Sequence, residues 1–233
     1  FTTEIQLKQD PLEIVNEVKL LGVIISNDLK WHKNTSYLTK KVNKKMRMMH
    51  IAAKFTRNRE HLKHIYKTFI RSNLEFSSTV WHSSLSVADR QDLERIQKAA
   101  VKVILGKDYV DYTQALSDLN LESLDRRREG MALKFVKNSL NNANFSKLFP
   151  LRRVQHDMKF RMSEKYLVNC SKTRRYKDSA VPFLQGLLNK DNVEKKKDLK
   201  RLFDYDSSVS SGKRKRLEQR KLVNYVSNVD VIT

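Results

Sequence analysis

The sequence has few of the residues that stabilise small or turn-rich folds. Its 233 residues include one cysteine, three prolines and five glycines. A single thiol, Cys170, excludes an internal disulfide framework and is typical of a reducing compartment. So few turn-forming residues argue against an all-β fold, which needs many tight turns. These absences favour a mainly helical protein.

Targeting signals and long apolar runs are also missing. No apolar run approaches the ~20 residues that a membrane-spanning helix needs, and no secretory signal is present. We therefore expect an intracellular protein without a membrane partner. The sequence begins at Phe1, in the middle of a residue pattern, so we also expect it to be a fragment.

Residue sets that carry catalysis are scarce as well. Two-metal polymerases and nucleases need acidic side chains that converge on ions ~4 Å apart, yet the nearest pair, Asp204 and Asp206, lies in a Ser-rich segment predicted to be a linker. His61 and His64 have no cysteine pair or nearby carboxylate to complete a zinc site, and no Gly-rich phosphate loop occurs. We predict no catalytic residue, no metal site and no cofactor in this chain.

Positive charge is what the sequence has in excess. Lys and Arg number 47 against 26 Asp and Glu, which gives a net charge of +21, whereas an ordinary small domain carries about 2–8 charges. Such an excess favours a nucleic acid or another anionic surface as partner. A charged soluble domain without such a partner is the simpler alternative.

Apolar periodicity predicts a mainly α fold, with a small N-terminal antiparallel β element followed by a helical bundle and a basic C-terminal tail. A strand is predicted over 18–26, a helix from His32, a second over 59–74 with Phe69 on its buried face, and a third between a Ser86–Asp89 capping box and Gly106. Further helices are predicted at about 112–119, from Ser123 and over 179–189. The predicted regions are a β element at 1–31, a helical bundle at 32–149, a basic connection at 150–190 and a basic tail at 191–233.

The basic residues concentrate in three places. On the first predicted helix, Leu38, Val42, Met46, Met49 and Ala53 form an apolar stripe and the cations lie outside it; the arginines at 126–128 open a later helix, where the helix dipole disfavours them. An external anion would relieve that repulsion, and Asp125 with Glu129 is the alternative. The predicted nucleic-acid-binding residues are Lys40, Lys41, Lys44, Lys45, Arg47, Lys54, Arg126, Arg127 and Arg128. The third cluster, Lys213, Arg214, Lys215 and Arg216, is a candidate nuclear-localisation signal or a nonspecific patch.

Several segments occur in an order and spacing that is specific in combination. They are 19–26 (KLLGVIIS), 29–31 (LKW) followed by the Lys-rich helix, 65–81 with Ile65-Tyr66-Lys67 and Val80-Trp81, 93–100 (LERIQKAA), 119–128 with Arg127-Arg128, and 174–189. Together they cover about four-fifths of the chain. In these segments the chain resembles the C-terminal part of the reverse transcriptases of non-LTR (jockey-type, LINE-like) retrotransposons.

The resemblance implies a function, and the sequence also departs from the family pattern. The family's RNA-directed DNA polymerases copy RNA into DNA with Mg²⁺ held by an Asp pair of the palm domain. Leu21, Gly22 and Val23 then correspond to the palm edge, and the following helices to the thumb, which holds the template–primer duplex. In the family the Asp pair lies upstream of the Leu-Gly-Val strand, and this sequence starts after that point, so the chain alone is expected to be an inactive fragment, a domesticated gene or a relic.

From these residues we expect sequence-nonspecific binding of an RNA or DNA duplex, in the nucleus, with the missing palm and fingers as further partners. The alternative is a basic protein-interaction or structural module without a nucleic-acid role.

Overall fold

We describe a computed structural model of the protein for residues 6–7, 10–11, 13–151, 165–168 and 171–208. The chain forms two compact units, residues 1–189 and 190–233. The site described below lies in the first unit. Cys170, the candidate nuclear-localisation signal at 213–216 and residues 152–164 and 169 of the basic connection lie outside the described residues.

The described residues are mainly helical, with a small antiparallel β element at the N-terminus, and this confirms the predicted fold class. The strands are β1 Gln6–Leu7, β2 Asp10–Pro11, β3 Glu17–Leu20 and β4 Val23–Ser26. The helices are α1 His32–Phe55, α2 Arg59–Ile65, α3 Ser72–Glu75, α4 Ser78–Trp81, α5 Val87–Leu105, α6 Tyr112–Asp118, α7 Leu124–Ser139, α8 Ala143–Ser146, α9 Arg174–Lys177 and α10 Ala180–Ser208. A π-helical turn, Tyr66–Arg71, joins α2 to α3, and 3₁₀ turns occupy His82–Ser84 and Gly106–Asp108.

Residues 18–26 form a hairpin, so the single strand predicted there is wrong. Strands β3 and β4 pair antiparallel, with Leu20 opposite Val23. The two residues between them, Leu21 and Gly22, have φ values of 47° and 85°. Positive φ at both central positions is what a type I′ hairpin turn requires, and glycine adopts it without steric cost. A periodicity argument misses this turn because the residues around Gly22 are apolar on both sides.

Hydrogen bonds join the hairpin to the start of α1. The Asn34 side-chain oxygen accepts from the backbone N–H of Ile24 at 3.1 Å, and the ammonium of Lys19 donates to the Tyr37 hydroxyl at 2.9 Å. Val23 is buried in the main hydrophobic core. The β element therefore fixes the direction in which α1 leaves the sheet.

The predicted apolar stripe of α1 is the core-facing side of that helix. Leu38, Val42, Met46 and Met49 are buried, and Ala53 packs against the same cluster. Helix α5 crosses this side of α1 and contributes Leu93, Ile96, Ala100 and Ile104 to the core. Packing against α5 therefore fixes which face of α1 is left to solvent.

The second predicted helix begins at Arg59 as expected but contains the π-helical turn. Its buried residues, Leu62, Tyr66, Ile70 and Leu74, are spaced by four throughout. In a regular α-helix each step of four turns the side chain by ~40° away from the previous one. A π turn has more residues per turn, so it keeps this row in line. Phe69, predicted to be buried, is instead 55% exposed.

The remaining helix boundaries are close to the predictions, with one exception. The Ser86 hydroxyl caps α5 by accepting from the backbone N–H of Asp89 at 3.1 Å, and Gly106 ends the helix with a φ of 58°. The exception is α10, which runs to Ser208, so the linker predicted from Asp204 is helical up to that point. Trp81 is fully buried at the end of α4.

In the described residues, no helix is both long enough and apolar enough to cross a membrane.

Candidate nucleic-acid interface

Helix α1 carries seven basic residues and no acidic residue over 24 positions. Its sequence alternates apolar positions, which enter the core, with polar ones. The exposed cations on the side away from the core are Lys40, Lys44, Arg47 and Lys54, which we call the α1 cationic face. From Lys40 to Lys54 this face extends over ~21 Å, because an α-helix rises 1.5 Å per residue.

Among the described residues, the cations of this face have no acidic partner. The first basic residue of α1, Lys33, forms an ion pair with Glu17 at 2.7 Å. Within the described ranges, no ion pair involves Lys40, Lys44, Arg47 or Lys54. Of the two other candidates on α1, Lys41 is exposed and Lys45, on the border of the core stripe, is half-buried. A row of uncompensated cations is suited to a partner with regularly spaced negative charge.

The same helix also exposes apolar side chains in its C-terminal half. Met48 is 67% exposed, Ile51 53% and Phe55 86%. They lie between and beside Arg47 and Lys54 along the helix. Single exposed apolar residues are ordinary on a protein surface, but three on successive turns make a contact area that a purely ionic surface would not have.

The three arginines at the start of α7 do not form one surface, contrary to the prediction. Arg126 is exposed, and its Nε lies 3.6 Å from a carboxylate oxygen of Glu122. Arg127 turns towards α3, where its Nε and Nη2 donate to the two carboxylate oxygens of Glu75 at 2.6 and 3.2 Å. This bidentate pair raises the pKa of Arg127 further. The repulsion expected in this first turn is therefore relieved within the chain for Arg127.

Arg128 is fully buried, so its assignment as a nucleic-acid contact is wrong. Its Nε donates to the backbone carbonyl of Leu124 at 3.0 Å, and its guanidinium carbon lies 5.5 Å from the centroid of the Trp81 ring. The two terminal nitrogens have no hydrogen-bond partner among the described residues. The helical period places 128 on the core side of α7, one turn after the buried Leu124.

Next to Arg128 lies a group of potential metal ligands that the sequence analysis did not identify. Side-chain atoms of His82, Asp125 and Glu129 all lie within 4.8 Å of one another. His82 is 1% exposed, and neither ring nitrogen has a hydrogen-bond partner in the part of the chain that the structure describes. Burial, with the guanidiniums of Arg128 and Arg90, lowers the pKa of His82 to about 4.

The charges around His82 disfavour a metal ion. Arg90 donates to Asp125 at 2.7 Å and so occupies one of the carboxylates. Burial is the first cause that keeps a proton off His82, and the guanidiniums of Arg128 and Arg90 add to it. Their positive charge also opposes a divalent cation, which carries twice the charge of a proton. We therefore assign His82 to the packing between α4, α7 and α10, where its ring meets the Phe183 ring edge-on at 5.8 Å.

A buried hydrogen-bond chain fixes the helices relative to one another. The hydroxyl of Tyr66 donates to Gln97 on α5, and the Gln97 amide donates to the Tyr112 hydroxyl at 2.9 Å. Tyr112 in turn donates to Glu94, which also accepts from the backbone N–H of Leu124 at 3.2 Å. Burial raises the pKa of both tyrosines, so both stay protonated and act as donors.

A second group of cations escaped the sequence analysis. Lys63, Lys67 and Arg71 follow one another at intervals of four residues along α2 and the π turn. Their spacing is visible in the sequence, but two acidic residues flank the segment, Glu60 and Glu75, so its charge looks partly balanced. The three predicted palm-edge residues have different environments in the structure. Val23 is buried in the core, whereas Leu21 and Gly22 form the hairpin turn.

The chain was compared with known protein families, curated proteins and solved structures. No protein-family model matches the chain, and neither a curated protein nor a solved structure is significantly similar to it.

Proposed function

We propose that this chain binds a nucleic-acid duplex without sequence preference, as a template–primer-binding fragment of a non-LTR retrotransposon reverse transcriptase. The observation that supports this best is the α1 cationic face, which presents uncompensated cations over ~21 Å on a helix without acidic residues. The resemblance of the sequence to reverse-transcriptase thumbs points in the same direction.

The chemistry of this face suits a phosphate backbone. Lysine and arginine contacts to phosphates position a protein on a duplex but carry no sequence information. Duplex DNA presents one negative charge per ~1.7 Å of its axis, so a face of this length spans several phosphates. Phosphate groups are common to both nucleic acids, so RNA and DNA duplexes are both candidates.

The parent enzyme's activity is a separate part of the proposal. In the family that the chain resembles, the catalytic Asp pair and its Mg²⁺ belong to the palm, and the nuclear location is proposed from the same resemblance. We expect the chain alone to give no primer extension with an RNA template and Mg²⁺. Template-dependent synthesis by the purified chain would contradict this expectation.

The test removes the α1 cationic face. Lys40→Glu, Lys44→Glu and Arg47→Glu together should weaken duplex binding equally for unrelated sequences, since only phosphate contacts are lost. About five phosphate contacts imply that log K falls against log salt with a slope of about −4 to −5, and losing three contacts should reduce its magnitude by about 3. Affinity is measured by fluorescence anisotropy at several salt concentrations.

A matched control carries the same change of charge elsewhere. Lys98→Glu, Lys107→Glu and Lys147→Glu replace exposed lysines outside α1 and should lower the affinity less. If both triple variants lose the same affinity, net charge alone explains binding and the α1 face has no special role.

One observation favours a second candidate, a protein-interaction module. Met48, Ile51 and Phe55 expose apolar surface beside Arg47 and Lys54, and an acidic protein with an apolar patch would fit both. The affinity for a partner of this kind would depend only weakly on salt, and the Phe55→Ser variant would no longer bind it. Duplex binding should tolerate Phe55→Ser with an unchanged salt slope.

A further inference from the structure

Lys63, Lys67, Arg71 and Arg127 form a group that we call the Lys67 cluster, and it contains more positive charge than its ion pairs with described residues compensate. The first three residues lie one above the other on α2 and the π turn, ~6 Å apart along the helix axis. Arg127 approaches from α7. Two helices that are distant in sequence therefore bring four cations together.

Three members of the cluster share two carboxylates. The Lys63 ammonium lies 3.3 Å from Glu60, the Arg71 Nε lies 3.9 Å from Glu75, and the Arg127 guanidinium holds both oxygens of the same Glu75. For Lys67, the described residues provide no ion pair. It is thus the one cation of the cluster left without a counter-charge.

The cluster differs from an ordinary solvated row of lysines because its side chains are partly enclosed. The exposed fraction of the side chain is 14% for Lys63, 17% for Arg71 and 28% for Arg127. Long side chains that are already held in place lose less conformational entropy when they bind a ligand. The flanking ion pairs therefore keep three of the four cations in position around Lys67.

The electrostatic field at Lys67 agrees with this geometry. Its pKa is lowered, first by burial and then by the positive charges of Lys63 and Arg71, with Arg127 adding to them. Glu60 opposes the shift but does not cancel it. An anion that binds beside Lys67 offsets the part of this shift that comes from the neighbouring positive charges.

We propose that the Lys67 cluster binds a backbone phosphate of the same nucleic acid, so that the first unit holds it at two separate places, α1 and the turn after α2. This inference rests on the proposed function and extends it to residues outside α1. A phosphodiester fits because it brings one negative charge and oxygen acceptors for an ammonium and guanidinium groups, and such groups bind phosphate well.

The first experiment neutralises the uncompensated cation. Lys67→Gln removes the charge but keeps a side chain of similar polarity, and it breaks no ion pair among the described residues. The duplex affinity of the full chain should fall by the order of fivefold at 0.1 M salt, and the salt slope should lose about 1 in magnitude. The matched control is Lys98→Gln, which removes the charge of an exposed lysine on α5 and should leave the slope nearly unchanged.

The second experiment reads the site directly. Lysines of the free and the duplex-bound chain are methylated with formaldehyde and cyanoborohydride, and the extent at each position is measured by mass spectrometry. Lys67 should react readily in the free chain and be protected in the complex, whereas Lys147, an exposed lysine after α8, should react equally in both. Protection of Lys67 supports the site even if the Lys67→Gln variant folds poorly.

The outcomes separate this inference from the proposed function. Duplex binding that depends on the α1 cationic face, with an unchanged slope for Lys67→Gln and no protection of Lys67, overturns the Lys67 site and leaves the proposed function intact. If the unaltered chain fails to bind any duplex at low salt, the proposed function fails and this inference fails with it.

Discussion

Arg128 and Trp81 show how a basic residue that looks like a ligand contact can be a core residue. The side chain of Arg128 is long enough to cross the core and place its guanidinium near the Trp81 ring. Its two terminal nitrogens nevertheless lack partners in the described part of the chain. A buried charge with incomplete hydrogen bonding costs desolvation energy that its contacts recover only in part.

This balance predicts an unusual response to substitution. Arg128→Met keeps the length of the side chain and removes the buried charge, so the free energy of unfolding should change by less than about 1.5 kcal/mol or rise. Arg128→Ala leaves a cavity and should cost about 3 kcal/mol. Urea unfolding measures both. Duplex affinity should be unaffected by Arg128→Met, and a clear loss of affinity would return Arg128 to the binding surface.

His82 makes stability depend on pH in the mildly acidic range. The unfolded chain takes up a proton at this residue below pH ~6.5, whereas the folded chain keeps the ring neutral until the pH approaches its lowered pKa of about 4. Stability should therefore decrease as the pH falls through this window, by up to about 3 kcal/mol from this residue alone.

The measurement compares urea unfolding at pH 7 and pH 4.5 for the natural chain and for His82→Leu, which does not titrate. The variant should lose less stability between the two pH values. Equal losses would mean that the folded chain protonates His82 as easily as the unfolded chain does.

At the scale of single elements, the two serine caps of long helices differ in geometry. Ser86 accepts from the backbone N–H of Asp89 at 3.1 Å and also donates to the Asp89 carboxylate at 2.6 Å, next to His32. Ser123 accepts from Arg126 at 3.4 Å. Ser86→Ala should thus cost about 1 kcal/mol, and Ser123→Ala less. Thermal unfolding of the two variants tests this, and the reverse order would show that the caps contribute through other contacts.

Elements with a regular period could be predicted from the sequence, and irregular ones could not. The start of α1 at His32, its buried stripe and the cap of α5 each depend on residues close in sequence. The turn at Leu21–Gly22 and the π turn at Tyr66–Arg71 depend on tertiary packing. The hairpin is folded against α1. The π turn keeps one row of side chains buried in the main core, namely Leu62, Tyr66, Ile70 and Leu74.

For the candidate site the same distinction holds. Exposed cations of α1 were identified because the apolar stripe fixes the opposite face. The contacts of Arg127 and Arg128 could not be predicted from three consecutive arginines, since their partners, Glu75 and Trp81, lie about fifty residues earlier in the sequence. The surplus charge at Lys67 was hidden for a related reason, because Glu60 and Glu75 are already shared among Lys63, Arg71 and Arg127.

For the molecule as a whole, the excess of positive charge is spread nearly in proportion to chain length. Residues 190–233 contain twelve basic and seven acidic residues, so most of the net charge of +21 belongs to residues 1–189. Both hydrophobic clusters are also built from residues before 190. Within the described residues, the hydrophobic clusters therefore lie in residues 1–189, which also carry most of the net charge.

The lack of any carboxylate on α1 has a consequence for how the protein responds to its buffer. Neighbouring ammonium groups along that helix repel one another, and dissolved ions shorten the range of this repulsion to ~3 Å at 1 M from ~30 Å at 0.01 M. Added potassium chloride should raise the melting temperature of the free protein while it loosens any complex with a polyanion. Calorimetry and anisotropy on one set of samples would then show trends of opposite sign.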